Sequence, residues 1–152
     1  MIVTDSEAIV KVSGKGTSLG VDDTVTISLT ADLIDISRQR YFIPEQVSII
    51  GIQWAGEPGV VYKISRGGTK IASLLADNGN YITFNQLYSP DINNLTDDIT
   101  VSINDSMGGF VQGEVWLRLR KISGYFNNTE TLYFVDEYGN YINTESNQRI
   151  TT

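Results

Sequence analysis

The side chains of this chain that could do chemistry are mainly carboxylates. The 152 residues include 18 Asp and Glu but no histidine and no cysteine. This excludes disulfides, Cys-based metal sites and the Cys–His and Ser–His–Asp arrangements. Two carboxylates held about 5 to 10 Å apart could still hydrolyse a glycosidic bond, but a chain this acidic always contains some such pair. We therefore predict a non-enzymatic protein, with a two-carboxylate hydrolase as the least favoured alternative.

Aspartates cluster at two places in the sequence. Asp22 and Asp23 are adjacent, and Asp97, Asp98 and Asp105 gather further along. A calcium ion takes several carboxylate and carbonyl oxygens, so a loop calcium site is one interpretation. The spacing matches no calcium-loop signature, and Asp is also a common turn former. We predict solvated turns at both places, and we assign no metal site and no cofactor.

A Gly-Lys-Gly-Thr run at residues 14–17 has part of the composition of a phosphate-binding loop. It lacks the full G-x-x-x-x-G-K-[ST] spacing, and the segment after it predicts a strand rather than a helix. We therefore predict a turn here.

Short basic patches stand out against a net charge of −7. One contains Arg38 and Arg40, and the other contains Arg118, Arg120 and Lys121. The acidic balance argues against a nucleic-acid surface and against binding to an anionic membrane. Surface ion pairing is the favoured interpretation of the patches. Docking onto an acidic partner is the alternative, because Arg is enriched in interfaces.

Aromatic residues are the other candidates for binding. Trp116 is on the polar face of a predicted strand, where it could stack on a sugar. Packing under a loop or against a neighbouring subunit is favoured, because Trp is a common core and interface anchor. The C-terminal segment has too many aromatics for a free disordered tail, which indicates an arm that packs on another copy or another protein. These aromatics are Tyr125, Phe126, Tyr133, Phe134, Tyr138 and Tyr141.

The elements that must position these groups are short strands. Residues 110–122 place Val111, Val115, Leu117 and Leu119 on one face and Gln112, Glu114, Trp116, Arg118 and Arg120 on the other, as in a strand with one buried side. Residues 47–54 are apolar on both faces, which predicts a central strand covered on each side. Residues 98–104 predict a strand that pairs antiparallel with 110–122. Further strands are predicted at 7–13, 24–30, 60–65, 69–76 and 81–84.

The turn signals between these strands predict an all-β fold, an antiparallel sandwich or jelly-roll. Residues 1–6 are predicted as a flexible leader and 7–124 as the sandwich. Residues 125–152 are predicted as a C-terminal arm with a short hairpin, 132–135 against 141–142, and a mobile end. No stretch has the roughly 18 consecutive apolar residues of a membrane span, and the N-terminus predicts no signal peptide.

Residues 108–125, GGFVQGEVWLRLRKISGY, combine a Gly-Gly turn with a long amphipathic strand. This segment is similar to the closing strand of head-decoration and tail-associated β-sandwich modules of tailed bacteriophages. The resemblance covers residues 7–124 in overall composition. This part is a β domain rich in Thr, Asn and Asp, it contains no Cys or His, and a polar arm follows it. The resemblance implies a non-enzymatic virion protein, assembled in the host cytoplasm, that binds at fixed sites on the particle, often as a symmetric oligomer.

Two functions from different classes follow as expectations. The first is a capsid decoration or cement protein that binds the major capsid protein as a homo-oligomer, most simply a trimer. Its contact surfaces would be the C-terminal arm, the N-terminal residues and the face carrying Trp116, Arg118 and Arg120. The alternative is a carbohydrate-binding module of a tail fibre or adhesin, in which exposed aromatics such as Trp116 stack on sugar.

Overall fold

The computed structural model describes residues 1–16, 23–84, 91, 93–106, 111–128, 134–135 and 141–142. Within these ranges the protein is nearly all β, with one 3-10 turn (Ala76–Asn78) and no α-helix. The strands are β1 (Ile2–Val3), β2 (Glu7–Gly16), β3 (Asp23–Ile27), β4 (Arg40–Gly56), β5 (Val60–Arg66), β6 (Thr69–Leu75), β7 (Tyr81–Thr83), β8 (Ile99–Asp105), β9 (Val111–Asn128), β10 (Phe134–Val135) and β11 (Tyr141–Ile142).

Two antiparallel sheets form a sandwich, which confirms the predicted fold class. The first sheet has the strand order β1-β2-β9-β4-β7, and the second has the order β3-β8-β5-β6. The inner faces of both sheets contribute to one hydrophobic core. Its fully buried members include Val47, Ile49, Ile52, Val60, Tyr62, Ile64, Ile99, Val101, Val115, Leu117 and Leu119.

Strand β9 has the predicted alternation. Val115, Leu117 and Leu119 are fully buried, while Arg118 is exposed on the opposite face. The strand continues to Asn128, six residues beyond the predicted end at Ile122. Residues 125–128, predicted as the start of the arm, therefore extend β9.

The predicted pairing of residues 98–104 with 110–122 is wrong. Strand β8 lies in the second sheet between β3 and β5, whereas β9 lies in the first sheet between β2 and β4. Both strands have one wholly apolar face, with Ile99, Val101 and Ile103 buried on β8. When two sheets of a sandwich place such faces opposite each other, each face buries the other. If β8 and β9 were paired side by side in one sheet, both apolar faces would still have to be covered by another element.

Strand β4 is internal to the first sheet, with β9 along one edge and β7 along the other. Residues 47–52 are all buried, as predicted for a strand covered on both faces, whereas Gln53 is exposed. The register to β9 shifts between Ile49 and Gly51, which marks a bulge at Ile50. Val47 and Ile49 join the core before the bulge, and Ile52 and Trp54 join it afterwards. The bulge shifts the inward–outward alternation of the side chains by one residue. The run of apolar residues in β4 therefore arises from this shift as well as from burial.

Glycines lie side by side across three strands of the first sheet. Gly113 of β9 is opposite Gly14 of β2 and Gly56 of β4. Tyr62 of the second sheet packs against Gly113 and Gly56, and its hydroxyl donates to the Ala55 carbonyl at 2.6 Å. An added Cβ at Gly113 would collide with the Tyr62 hydroxyl. The turn predicted at residues 14–17 is accordingly wrong up to Gly16, which ends β2, and Thr17 lies outside the described residues.

Two predicted hairpins are confirmed. Gly67 and Gly68 join β5 to β6 with φ values of 54° and 78°, the positive values that a two-residue type I′ turn requires. Phe134–Val135 pairs antiparallel with Tyr141–Ile142.

The N-terminal third departs from prediction in detail. Strand β3 covers Asp23–Ile27, shorter than the predicted 24–30, and Leu29 and Leu33 enter the core from the turns that follow. Ile2–Val3, within the segment predicted as a leader, forms β1 against β2.

Candidate binding surfaces

One candidate surface is the outer face of the first sheet, opposite the core. Trp116 of β9 lies between Lys11 of β2 and Gln53 of β4, and Gln53 is in turn opposite Tyr81 of β7. Directly opposite residues of an antiparallel sheet share a face. A row of polar and aromatic side chains from four strands therefore crosses the outer face.

The neighbouring row contains a gap. Arg118 lies between Ile9 and Gly51, and Gly51 is opposite Thr83. A Cβ at Gly51 would stand 3.3 Å from the Tyr81 hydroxyl oxygen and 3.5 Å from the Arg118 Cβ. A depression of about 330 Å³ lies here on the outer face. This outer-face depression is lined by Ile9, Gly51, Gln53, Tyr81, Trp116 and Arg118.

The charged groups around the outer-face depression are paired. Arg118 contacts Glu7 at 2.9 Å, and Lys11 contacts Glu114 at 2.5 Å. The Glu7 carboxylate, followed by the Tyr81 hydroxyl, raises the pKa of Arg118. Hydrogen bonding to Arg118 in turn lowers the pKa of Glu7. Arg118 thus forms a surface ion pair, the favoured interpretation of its basic patch, and the rim of the depression is close to neutral.

The other predicted basic residues are also engaged. Arg120 forms an ion pair with Glu7 at 3.4 Å. Arg38 forms an ion pair with Asp35, three residues earlier, at 3.0 Å. Lys121 is buried, and its Nζ donates to the Thr4 carbonyl at 2.6 Å. Burial lowers the pKa of Lys121. Lys121 therefore helps to hold the N-terminal segment against β9.

A second candidate surface is a two-stranded extension of the first sheet. Strand β2 pairs with β9 only as far as Arg120, whereas β4 pairs with β9 as far as Asn128. Residues 40–46 of β4 and 123–128 of β9 therefore form an overhang, called here the aromatic ribbon. In the described part of the chain, no third strand pairs with it.

Both faces of the aromatic ribbon carry apolar side chains. Phe42 and Phe126 are opposite each other and meet edge to face, with ring centroids 5.1 Å apart. The Arg40 guanidinium lies 4.1 Å from the Phe126 ring centroid. On the other face, Ile43 is opposite Tyr125. Tyr125 is 53% exposed and Phe126 is 46% exposed, so the ribbon shows aromatic surface to solvent.

The predicted site residues separate into different places. Trp116 and Arg118 line the outer-face depression, and Tyr125 and Phe126 are on the aromatic ribbon. Phe134 and Tyr141 are in the β10–β11 hairpin, and Tyr133 and Tyr138 lie outside the described residues.

The sequence prediction missed several residues of both surfaces, namely Ile9, Gly51, Gln53 and Tyr81 of the depression and Phe42 of the ribbon. Arg40 of the ribbon had been predicted only as part of a basic patch. Phe42 could have been found from the sequence. No turn signal separates residues 40–46 from the strand predicted at 47–54, which indicates that the strand begins earlier. The depression could not have been found in this way, because its members become neighbours only through strand order.

Two of the predicted aspartate turns are strand ends instead. Asp23 begins β3, and Asp105 is buried at the end of β8. Asp97 accepts a hydrogen bond from the Asn94 side-chain amide at 2.7 Å, and Asp98 accepts one from the Leu29 backbone N–H at 3.0 Å. Asp22 lies outside the described residues. Among the residues that are described, no group of three or more acidic side chains could hold a metal ion.

No protein-family model matches this chain, and no curated protein matches it in sequence. Within the described ranges, no helix is long and apolar enough to cross a membrane. The two surfaces themselves therefore carry the functional inference.

Proposed function

We propose that this protein is a non-enzymatic structural protein of a tailed-bacteriophage virion, a decoration or cement protein that binds the assembled shell. The observation that supports the proposal is the aromatic ribbon, which projects from a rigid sandwich and exposes aromatic surface. The partner is the major capsid protein, and the attached form is a homo-oligomer, most simply a trimer.

The composition of the ribbon favours a docking role. A two-stranded ribbon is only marginally stable in water by itself. Each face carries an opposed apolar pair, Phe42 with Phe126 and Ile43 with Tyr125, so neither face is wholly polar. Aromatic and arginine side chains are the residues most enriched among interface anchors. A protein surface that covers the ribbon would remove this apolar area from water.

The backbone of the ribbon offers a second kind of contact. In the described part of the chain, residues 40–46 and 123–128 pair only with each other, so each strand has an outer edge. Such an edge can accept a strand from a partner, with main-chain hydrogen bonds supplying affinity. Several copies on one particle would each need only modest affinity, because avidity makes the combined attachment long-lived.

The experiment is co-sedimentation of the purified protein with particles that the encoding genome produces in its absence. The intact chain is expected to sediment with the particles at a fixed ratio to the major capsid protein. The double variant Tyr125→Ser/Phe126→Ser should lose this binding, while the matched control Leu75→Ser, exposed on β6 of the second sheet, should keep it. Equal sedimentation of both variants, or no sedimentation of the intact chain, would contradict the proposal.

A deletion separates the ribbon from the segment beyond it. Removing residues 129–152 leaves β9 and the aromatic ribbon whole and takes away the β10–β11 hairpin. If the C-terminal arm contributes contacts, this truncated chain should fold normally and bind particles more weakly. Unchanged binding would restrict the contact to the ribbon and remove the arm from the proposal.

A further inference from the structure

We infer that the outer-face depression binds a neutral saccharide. This goes beyond the proposed attachment role and uses a different surface. Trp116 and Tyr81 come from β9 and β7 and stand on either side of Gln53, in the row next to Gly51. Gly51 adds no side chain beside them, and the Tyr81 hydroxyl and Arg118 border the space above it. Lys11 Nζ lies 5.1 Å from the Trp116 ring centroid, so a ligand would pack on the part of the ring that Lys11 leaves uncovered. The C–H faces of a sugar ring pack well on such groups, which offer apolar area next to a polar tip.

Polar groups in the same depression match the hydroxyl groups of a sugar. Gln53 supplies an amide that donates and accepts, Tyr81 supplies a hydroxyl, and Arg118 supplies a planar set of N–H donors. All three line the depression together with Trp116. A few polar groups placed around apolar walls are the usual composition of a small-molecule site.

The charge distribution selects a neutral ligand. Arg118 is paired with Glu7 at 2.9 Å, and Lys11 is paired with Glu114 at 2.5 Å. An anionic sugar would have to compete with these carboxylates for the two cations. A neutral sugar can accept hydrogen bonds from Arg118 while the ion pair with Glu7 persists, because a guanidinium has five N–H donors.

The size of the depression indicates a short ligand. Its volume of about 330 Å³ is near the lower end of the roughly 300 to 1,000 Å³ of ligand sites. One or two sugar rings would fill it. A single open site of this kind binds weakly, so useful strength would come from several copies presented together.

The test uses a glycan array that carries neutral hexose and N-acetylhexosamine oligosaccharides beside sialylated and sulfated ones. The full chain should bind neutral glycans. Trp116→Ala should weaken this binding by about tenfold or more, since truncating a central aromatic anchor is among the costliest interface changes. Gly51→Val should weaken it similarly by filling the floor. The control Phe126→Ala, on the aromatic ribbon, should bind as the intact chain does.

A solution measurement keeps the inference testable if a variant folds poorly. The indole N–H resonance of Trp116 in the intact chain should shift on titration with the best neutral oligosaccharide of the array. An array without signal, binding restricted to sialylated or sulfated glycans, or a Trp116 resonance that does not move would each overturn the inference. If the Trp116 resonance shifted with protein concentration in the absence of sugar, the outer face would instead be a contact between copies of this chain.

Discussion

Arg66 carries a buried charge whose partners come from separate segments of the chain. Its Nη1 donates to Asp91 at 2.5 Å and to the Val47 carbonyl of β4 at 2.6 Å, and its Nε donates to the Asp97 carbonyl at 2.7 Å. Asp91 also accepts from the Ile49 backbone N–H at 3.1 Å. Burial lowers the pKa of Arg66, and the Asp91 carboxylate opposes this shift. The ion pair therefore ties the second sheet to β4 of the first.

Removing Arg66 should be costly. Arg66→Ala leaves the Asp91 carboxylate buried without its cation, and breaking a buried pair in this way costs about 3 to 5 kcal/mol. Urea unfolding of both proteins measures the difference. The control Lys70→Ala, exposed on the neighbouring strand β6, should change stability by less than about 0.5 kcal/mol. The double variant Arg66→Met/Asp91→Asn should recover part of the loss. Equal effects of Arg66→Ala and Lys70→Ala would contradict this account.

Glu7 links stability to pH. Its pKa is lowered from the usual 4.5, chiefly by the hydrogen bond from Arg118. A depressed carboxyl pKa means that the unfolded chain binds the proton more readily, so the stabilisation is present above pH 4.5 and is lost as pH falls below it. Because the pair is exposed to solvent, the effect is small and weakens with salt.

The variant Glu7→Gln tests this linkage. At neutral pH it should unfold at a slightly lower urea concentration than the intact chain. As pH falls below 4.5, where the unfolded chain takes up the proton, the difference between the two proteins should narrow. The control Ser13→Ala, an exposed substitution that changes no ionisable group, should show no such narrowing. A difference that persists unchanged at low pH would rule out the carboxylate of Glu7 as its source.

The strands around Tyr62 depend on close approach between the two sheets. Gly14, Gly113 and Gly56 form a row across β2, β9 and β4, and Tyr62 packs against Gly113 and Gly56. Burial raises the pKa of the Tyr62 hydroxyl, and the hydrogen bond to Ala55 keeps this polar group satisfied. Glycine is needed at the centre of the row because the Tyr62 hydroxyl occupies the position of a Cβ.

Gly113→Ala should therefore destabilise the protein. Overpacking a well-filled core typically costs about 1 to 3 kcal/mol. The double variant Gly113→Ala/Tyr62→Phe should be less destabilised than the sum of its single changes, because it removes the hydroxyl that the new methyl group meets. Thermal or urea unfolding measures all three proteins. Ser13→Ala, next to the row on the outer side of β2, serves as the control. An unchanged stability of Gly113→Ala would show that the sheets can separate at this point.

At the scale of the whole molecule, the proposed attachment to a shell predicts a closed oligomer. Light scattering of the purified chain at two concentrations should give the mass of a trimer at both, because a closed symmetric assembly satisfies its own interfaces. Mass that grows continuously with concentration would indicate open association through the ribbon edges instead. A monomer at both concentrations would confine oligomerisation to the particle surface and leave the saccharide site as the better-supported activity in solution.

The sequence by itself determined the strand content and which face of most strands is buried. Alternation in residues 110–122 and 98–104 correctly identified the buried sides of β9 and β8, because side-chain direction along a strand is a local property. The turn at Gly67-Gly68 could also be predicted from the sequence, because its positive φ values depend only on these two adjacent glycines.

Only the tertiary structure decided lateral order and the candidate sites. Lys11, Trp116, Gln53 and Tyr81 become neighbours because β2, β9, β4 and β7 are adjacent in one sheet, and no local pattern encodes that order. The same holds for the Arg66–Asp91 pair and for the fit of Tyr62 against Gly113. Strand order is chosen by how whole apolar faces cover one another across the sandwich, a property of the complete set of strands. That is why β8 and β9, adjacent in sequence, pair in different sheets.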